Sequence, residues 1–437
     1  MTTETLTEEQ QRAAQLEAAA AATAFTSTQK LTATIKTSAL KEAVGRVGGS
    51  ISTKASIPSL TMLYFYINQD RLELRGSNGS ITTQTFLPLE KGVAALEGEA
   101  GGMLFPGKKF MDLLAKLTGV NTVLTFDGLG VKIKSKGAEV NMTGLHLDLY
   151  PQLHPVRGTR SFEIPTDVLL MMYKRTDYAV SKKETDKVLT SVMHELKGKS
   201  FRTVACDRHR LAAQHYDLDV AAEDARLAVP AETVSEVKKS LKGNPTTLIE
   251  FNDSSIMYTL GNTKIYSSVY AEVYPQVDSL IPPTTQINMT IGSKELKEIF
   301  DRCSLFQDEQ GCLAHMIINP VQRRMRVLTA TTAEGNQLKE DVQLTRGEGD
   351  DLVLSCNVKY FTDMLAHAGD VELSLGLNAA DAPMILRTYN GRQENVDLVL
   401  PIRVAGAPTT PAIENFNPIE TEGDAFAAMV ASYGEQA

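Results

Sequence analysis

The chain has 437 residues, 43% apolar and 22% charged, with a formal net charge of −9. Such a length exceeds one ordinary core, and the composition is that of a globular protein of two to four domains rather than a disordered or fibrous one. No apolar run reaches the roughly 18 residues of a membrane span, and the acidic balance argues against tight nonspecific gripping of nucleic acid, unless charge is segregated onto one face.

Residues 1–30 are Ala/Glu/Gln-rich and lack the basic start of a secretory signal. A Thr7-x-x-Gln10 capping box could start a helix there, the other reading being a mobile tail. A threefold self-similarity follows, with a step near 125–130 residues. Its first element is a strand, a polar cap and an amphipathic helix. It reads ATIKTSALKEAVGRVGGSIS from Ala33, FEIPTDVLLMMYKRTDYAVS from Phe162 and NMTIGSKELKEIFDRCSLF from Asn288. Ser38, Thr166 and Ser293 are expected to cap the three helices through their side-chain oxygens. Helical spacing then places Leu40, Ala43, Val44 and Val47, Leu169, Met172 and Tyr173, and Leu296, Ile299, Phe300 and Cys303 on buried faces.

The next element is a strand pair, RLELRGSN at 71–78, FRTVACDR at 201–208 and MRVLTATT at 325–332, alternating as half-buried strands do. A second helix recurs in LFPGKKFMDLLAKLTG, AVPAETVSEVKKSLKGN and LSCNVKYFTDMLAHAGD. Pro106 and Pro230 stand at the first turn, and Gly119, Gly243 and Gly369 beyond the end. The pattern predicts an α+β fold of three units, each with two helices on short antiparallel strands. The divisions are 31–156, 157–283 and 284–404, with an N-terminal extension at 1–30 and a C-terminal tail at 405–437. The tail is either mobile or folds back through Ile413–Phe416 or Ala425–Tyr433 over the binding cleft or the face of the assembly described below.

Chemistry-bearing motifs are scarce. There is no phosphate-cradling Gly-rich loop, no HExxH and no GxSxG. The four cysteines, Cys206, Cys303, Cys312 and Cys356, form no CxxC pair, which points to reduced thiols in a cytoplasmic protein and to no metal or cofactor. One cluster, Cys206-Asp207-Arg208-His209, reads three ways: a polar strand corner, a nucleophile–base pair, or a binding surface.

Around that cluster the sequence VLTSVMHELKGKSFRTVACDRHRLA, Val188 to Ala212, resembles the middle domain of the bacterial DNA sliding clamps, the beta subunit of DNA polymerase III. GRVGGSISTKASIPSL, FPGKKFMDLL, YPQVDSLIP, CNVKYFTDML and LVLPIRV match in order, over about residues 31–404. The resemblance implies the clamp fold and a head-to-tail homodimeric ring of six units. Such a processivity factor encircles duplex DNA without reading sequence, is placed by a clamp loader and tethers DNA polymerase. It implies no enzyme activity. A clamp-fold interaction scaffold without ring function is the alternative, and a small-molecule hydrolase using Cys206 and His209 the third reading.

By the same resemblance a partner-peptide cleft comprises Leu189, Cys206, Arg208, His209, Arg210, Leu211, Pro275, Leu280, Asn357, Tyr360, Met384, Val399, Leu400, Pro401, Ile402 and Arg403. Here Arg208 replaces the family's glycine, Cys206 its threonine and Ser279 a common arginine. The DNA-facing cations are Lys54, Lys108, Lys109, Lys116, Lys174, Arg175, Lys182, Lys183, Lys187, Lys238, Lys239, Lys242, Lys297 and Arg302, with Lys41, Arg46, Lys294 and Lys359 on the same helices. Ring closure is expected to join Lys134, Lys136, Val140 and Met142 of the first unit, beside Lys132, to Leu305, Phe306 and Glu334 of the third, beside Glu340 and Asp341.

Overall fold

A computed structural model describes residues 31–153, 156, 160–241, 243–306, 311–333, 335–390, 393–403, 413 and 416. The first repeat runs β1 (Leu31–Lys36), α1 (Thr37–Gly48), β2 (Met62–Ile67), β3 (Arg71–Ser77), β4 (Ile81–Pro88), β5 (Ala94–Glu97), β6 (Gly101–Pro106), α2 (Gly107–Lys116), β7 (Asn121–Asp127), β8 (Gly130–Ser135) and β9 (Ala138–Thr143). The second runs β10 (Arg160–Pro165), α3 (Thr166–Thr176), β11 (Ser191–Cys206), β12 (Arg210–Pro230), α4 (Ala231–Ser240), β13 (Thr246–Phe251), β14 (Ser255–Leu260) and β15 (Thr263–Ser268). The third runs β16 (Ile287–Gly292), α5 (Ser293–Cys303), β17 (Leu313–Asn319), β18 (Arg324–Thr329), β19 (Lys339–Gln343), β20 (Arg346–Glu348), β21 (Leu352–Asn357), α6 (Val358–Leu365), β22 (Glu372–Leu377), β23 (Met384–Asn390) and β24 (Gln393–Val399).

The predicted helix faces are the buried ones. Leu40, Ala43, Val44 and Val47 of α1 join Leu63, Phe65, Phe105, Phe110 and Leu124 in the first core. Leu296, Ile299, Phe300 and Cys303 of α5 join Met316, Val327, Phe361 and Leu375 in the third. All four cysteines are buried free thiols.

The expected caps are corrected. The first helical residues, Thr37, Thr166 and Ser293, turn their hydroxyls to neighbouring segments. Thr37 Oγ1 meets Thr122 Oγ1 at 2.9 Å, Thr166 Oγ1 meets Thr247 Oγ1 at 2.9 Å, and Ser293 Oγ donates to the Gly369 carbonyl at 2.6 Å. Each hydroxyl is buried, so bonding across the fold satisfies it better than serving the solvent-side amides of its own first turn. Ser38 lies inside α1 and is exposed. Pro106 and Pro230 end the strands before α2 and α4, one residue earlier than expected.

The described residues cluster into two compact units, one with those up to 170 together with 232–271, the other with 171–231 and those from 272. The sheets explain why the second repeat divides. In the first unit β10-β13-β14-β15 continues into β4-β3-β2-β6 as one eight-stranded sheet, beside a five-stranded sheet β5-β1-β7-β8-β9. In the second unit β11-β12 continues into β24-β23-β22-β16-β20, beside the four-stranded sheet β19-β18-β17-β21. The joining ladders correspond: Ile81 pairs with Ser267 on β4·β15, and Arg210 with Val399 on β12·β24.

Candidate functional site

Many of the residues expected to form the cleft lie where β12 meets β24. The β11–β12 turn is an Asx turn: Asp207 Oδ1 accepts from the His209 and Arg210 amides at 3.0 and 3.1 Å. Its second residue, Arg208, stands at φ +75°, the left-handed region that disfavours a side chain. Arg208 is exposed and ion-paired with Asp186 at 2.5 Å. The turn is anchored by Arg210, which is 7% exposed. Its Nε donates to Asp207 at 2.9 Å, Nη1 to Asp363 at 2.8 Å and Nη2 to the Tyr178 carbonyl at 2.8 Å. Burial opposes the Arg210 charge, but the bonds to Asp363 and Asp207 outweigh it and raise the pKa. Burial likewise works to lift the Asp363 carboxyl, and bonds from Arg210 and Lys359 hold it below the usual range.

This anchor brings in the third repeat. His209 stacks on Tyr360 at 6.2 Å and 16°, and its carbonyl accepts the Leu400 amide at 2.8 Å. Asn357 caps α6 through Lys359 N at 2.9 Å. Met384 pairs with Val399 on β23·β24, and Ile402 N donates to the Ser355 carbonyl at 2.7 Å. Met384, Val399, Leu400 and Pro401 line a crevice too narrow to admit a water molecule. Arg403 is exposed and reaches Asp381 at 3.3 Å. Cys206 is tied from the other side, where its amide donates to the Tyr274 hydroxyl at 3.0 Å, next to exposed Pro275. Leu189, Leu211, Met384 and Val399 are buried. Leu280 is 50% exposed and sits on the short turn that Arg202 holds through Asp278, four residues up β11 from Cys206. Burial raises the Cys206 thiol pKa, the reverse of what a nucleophile needs.

The cations divide. Lys54, Lys108, Lys109, Lys116, Lys174, Lys182, Lys183, Lys187 and Lys294 are exposed. Others are bonded within the chain, Lys239 and Lys359 while remaining exposed. Arg175 donates to the carbonyls of His367 and Ala368 at 3.0 and 2.7 Å. Lys41 bonds the Ala115 and Leu117 carbonyls at the end of α2. Lys239 pairs with Glu236 at 2.9 Å, Lys359 with Asp363 at 2.9 Å, Arg46 with Glu42 at 2.9 Å, Lys297 with Asp301, and Arg302 with Glu340. Lys238 is half-buried, and Lys242 lies outside the described residues.

The expected ring-closing charges are also locally engaged. Lys132 and Lys134 both pair with Glu139 of β9 at 3.0 Å, and Asp341 pairs with buried Arg326. Lys136 is exposed, at the β8–β9 turn. Val140 and Met142 are half-buried against their own core. In contrast β9 and β19 are edge strands of their sheets, and Leu305, just past α5, is 79% exposed beside half-buried Phe306. Glu334 lies outside the described residues.

Three family models match in order: the N-terminal domain of the DNA polymerase III beta subunit over 31–154, the central domain over 163–276 and the C-terminal domain over 278–403. The chain belongs to the bacterial beta sliding clamp family. The beta sliding clamp of Bacillus subtilis is 26% identical over 377 residues, 85% of this chain and 99% of that protein. That of Staphylococcus aureus is 28% identical over 360 residues, 81% and 94%. Among solved structures, the Bacillus subtilis DNA polymerase sliding clamp superposes with a TM-score of 0.81 at 26% identity, over 86% of this chain and all of that one. The Streptococcus pyogenes beta subunit, at 22% identity and a TM-score of 0.79, shares the fold.

Sequence reasoning on this clamp-family chain singled out Asp207 within the Cys206–His209 corner but missed Asp363, Tyr178 and Tyr274, which with it hold the turn. One signal was readable: Tyr-Pro-Gln occurs at 150–152 and again at 274–276. The family matches end at residue 403, and residues 1–30 lie outside the described residues. Of the tail, Phe416 is described with its ring under Arg324 at 4.8 Å. Arg324 pairs with Asn319, at the opposite end of β17 from Leu313 and its partner Asn357. The cleft and this tail contact are therefore separated by the length of β17, about 20 Å.

Proposed function

We propose that this sliding clamp works as a ring of two copies that encircles duplex DNA and tethers a DNA polymerase through the cleft around Arg210. The units divide at 31–156, 157–283 and 284–404. The exposed lysines at 54, 108, 109, 116, 174, 182, 183 and 187 supply weak, sequence-independent attraction to phosphate, so that topology rather than affinity retains the ring. Because several neighbouring cations already hold carboxylates, the attraction is weaker than a count of basic residues suggests. The copies meet through edge strands β9 and β19, with Leu305 as apolar contact rather than the lysine rows as ionic one. A clamp loader places the ring, in the cytoplasm, where four free thiols persist.

The observation that carries this reading is the ordered match of three clamp domains onto a threefold repeat, with Arg210 joining the second to the third at the family's cleft. The cleft binds rather than reacts, because Cys206 is a buried thiol held by Tyr274 and His209 is stacked on Tyr360. Retention on nicked circular DNA after loading, with loss when the DNA is linearised, tests it. Equal retention on both forms would overturn the ring and favour the scaffold reading. No helix among the described residues is long and apolar enough to cross a membrane.

A further inference from the structure

The four-stranded sheet of the third repeat, β19-β18-β17-β21, keeps both of its faces from water. Met316, Met325 and Val327 point into the core. Alternating with them along the strands and across the ladders, His315, Ile317, Arg326, Asp341 and Ser355 point the other way, outside that core. An antiparallel sheet commonly leaves such a face to solvent, yet these five residues are only 5–8% exposed. Their polar groups are matched on the spot, as shielding from water demands: His315 Nδ1 meets Ser355 Oγ at 2.7 Å, and Arg326 Nη2 donates to Asp341 at 2.8 Å.

One occupant of this face is in view. Arg324, two positions before Arg326 on β18 and so on the same face, lies over the Phe416 ring at 4.8 Å. Phe416 and Ile413, three positions earlier, are both half-buried. The first repeat shows what such an arginine seeks. Ser355 and Leu104 each stand three residues before a helix, facing His315 and Tyr64. Those face Leu328 and Arg75, four residues after Arg324 and Arg71. Arg324 is thus the counterpart of Arg71, which lies over the Phe86 ring at 4.1 Å. Phe86 faces Glu73 on β4, and its place on β19, facing Arg326, is taken by Asp341. The third repeat has lost the ring from its own strand there, and the tail supplies one to the same guanidinium.

Reach and charge agree. The Ile402 amide is fastened to the Ser355 carbonyl on β21 at 2.7 Å. Arg324 lies two strands across and four residues along from there, roughly 16 Å, and the chain from Ile402 to Phe416 can span about 45 Å. Beyond Arg403 the tail holds Glu414, Glu420, Glu422, Asp424 and Glu435 and neither lysine nor arginine, while exposed Arg323 adjoins Arg324 at the β17–β18 turn. We propose that the tail docks through Ile413 and Phe416 on the outer face of its own third repeat, as a strap that steadies edge strand β19 by keeping water from the Arg326–Asp341 pair. An ion pair so shielded is screened less than an exposed one. The cleft, the length of β17 away, stays free. That the strap thereby supports ring closure rests on the reading of β19 as a ring contact.

The chain has no tryptophan, so Phe416→Trp in the full chain places a single reporter on the tail. Its emission is expected to lie to the blue of that of the urea-unfolded chain. Adding Arg324→Ala should raise its quenching by acrylamide about 3-fold, while thermal melting confirms that the variants fold. Quenching as fast as in the unfolded chain, or indifferent to Arg324→Ala, overturns the docking. An excess of Arg324→Ala copies mixed with the reporter chain should leave the quenching unchanged; a rise would show docking on a second copy and overturn the contact within one chain. Amide exchange on β19, read by mass spectrometry, should quicken about 5-fold with Phe416→Ser, and unchanged exchange overturns the strap. None of these readouts uses DNA, so the ring reading fails separately, on retention by nicked circular DNA.

Discussion

Two junctions in this chain are made by the same sheet-joining device and filled in opposite ways. On β4·β15 the turn residue facing the partner strand is Ile81, 2% exposed, and the surroundings are serine and threonine. On β12·β24 the same place is held by Arg210, tied to two carboxylates and a carbonyl. One repeated backbone thus supports an apolar plug beside an open groove lined by Leu60, Tyr150 and Ser268, and an ionic anchor beside a closed crevice. The backbone frame and the chemistry of the site are separable: the frame is set by strand register, the site by a handful of side chains at its turn.

The largest effect should come from removing the anchor. Arg210→Ala strands Asp207 and Asp363 with no guanidinium between them, and loss of one member of a buried ionic network costs about 3–5 kcal/mol. The matched change at the first junction, Ile81→Val, removes one methyl from a packed site and should cost about 1 kcal/mol. Urea unfolding of both variants checks the ratio. Equal losses would mean that Arg210 is not the element holding β12 to the third repeat.

Titration should distinguish the junctions next, because the second is flanked by buried groups that change charge. His194, 2% exposed and bonded to the Tyr173 hydroxyl at 2.8 Å, has its pKa pushed down to about 4 by burial. The unfolded chain takes up this proton near pH 6.5 and the folded one near pH 4. Stability is therefore full above pH 6.5 and falls by about 3 kcal/mol as the pH drops through that window. Asp397 acts oppositely. Burial raises its carboxyl to about 7, although the Tyr178 hydroxyl donates to it at 2.5 Å. Its contribution is present below about pH 4 and is lost as the pH rises to 7; the carboxylate opens onto a small crevice beside Arg175, which tempers the loss to about 2 kcal/mol. Thermal melts from pH 4.5 to 8 should show His194→Gln flattening the acid limb and Asp397→Asn flattening the neutral one. Unchanged limbs would remove these two groups as the source.

The threefold repeat and its helix faces were legible because burial at 3.6-residue spacing leaves a pattern of apolar letters, as at Leu40, Leu169 and Leu296. The cleft residues came through the resemblance, and most fall together in the fold. What escaped the sequence was pairing. Nothing local announces that Arg210 reaches Asp363, 153 positions away, or that Lys132 and Lys134 spend their charge on Glu139. Nor could residue type reveal that Thr37 and Thr166 bond across the fold instead of capping, since the same hydroxyl serves either purpose.

The smallest and sharpest test exchanges the two left-handed residues. Gly79, in the β3–β4 turn, stands at φ +94°, and a Cβ there would meet only Leu60 Cδ1, at 3.6 Å, so the expected cost of Gly79→Arg is that of the backbone conformation, about 1 kcal/mol. The reverse change, Arg208→Gly, relieves that strain while giving the unfolded chain more freedom and losing an exposed ion pair with Asp186, so the gain is smaller, about 0.5 kcal/mol. Opposite signs in a chemical denaturation series would show that the two turns are one structure with a strained residue in the second. Equal signs would show that Arg208 stabilises its turn, and the arginine would then be part of how this cleft is kept closed rather than a substitution the fold tolerates.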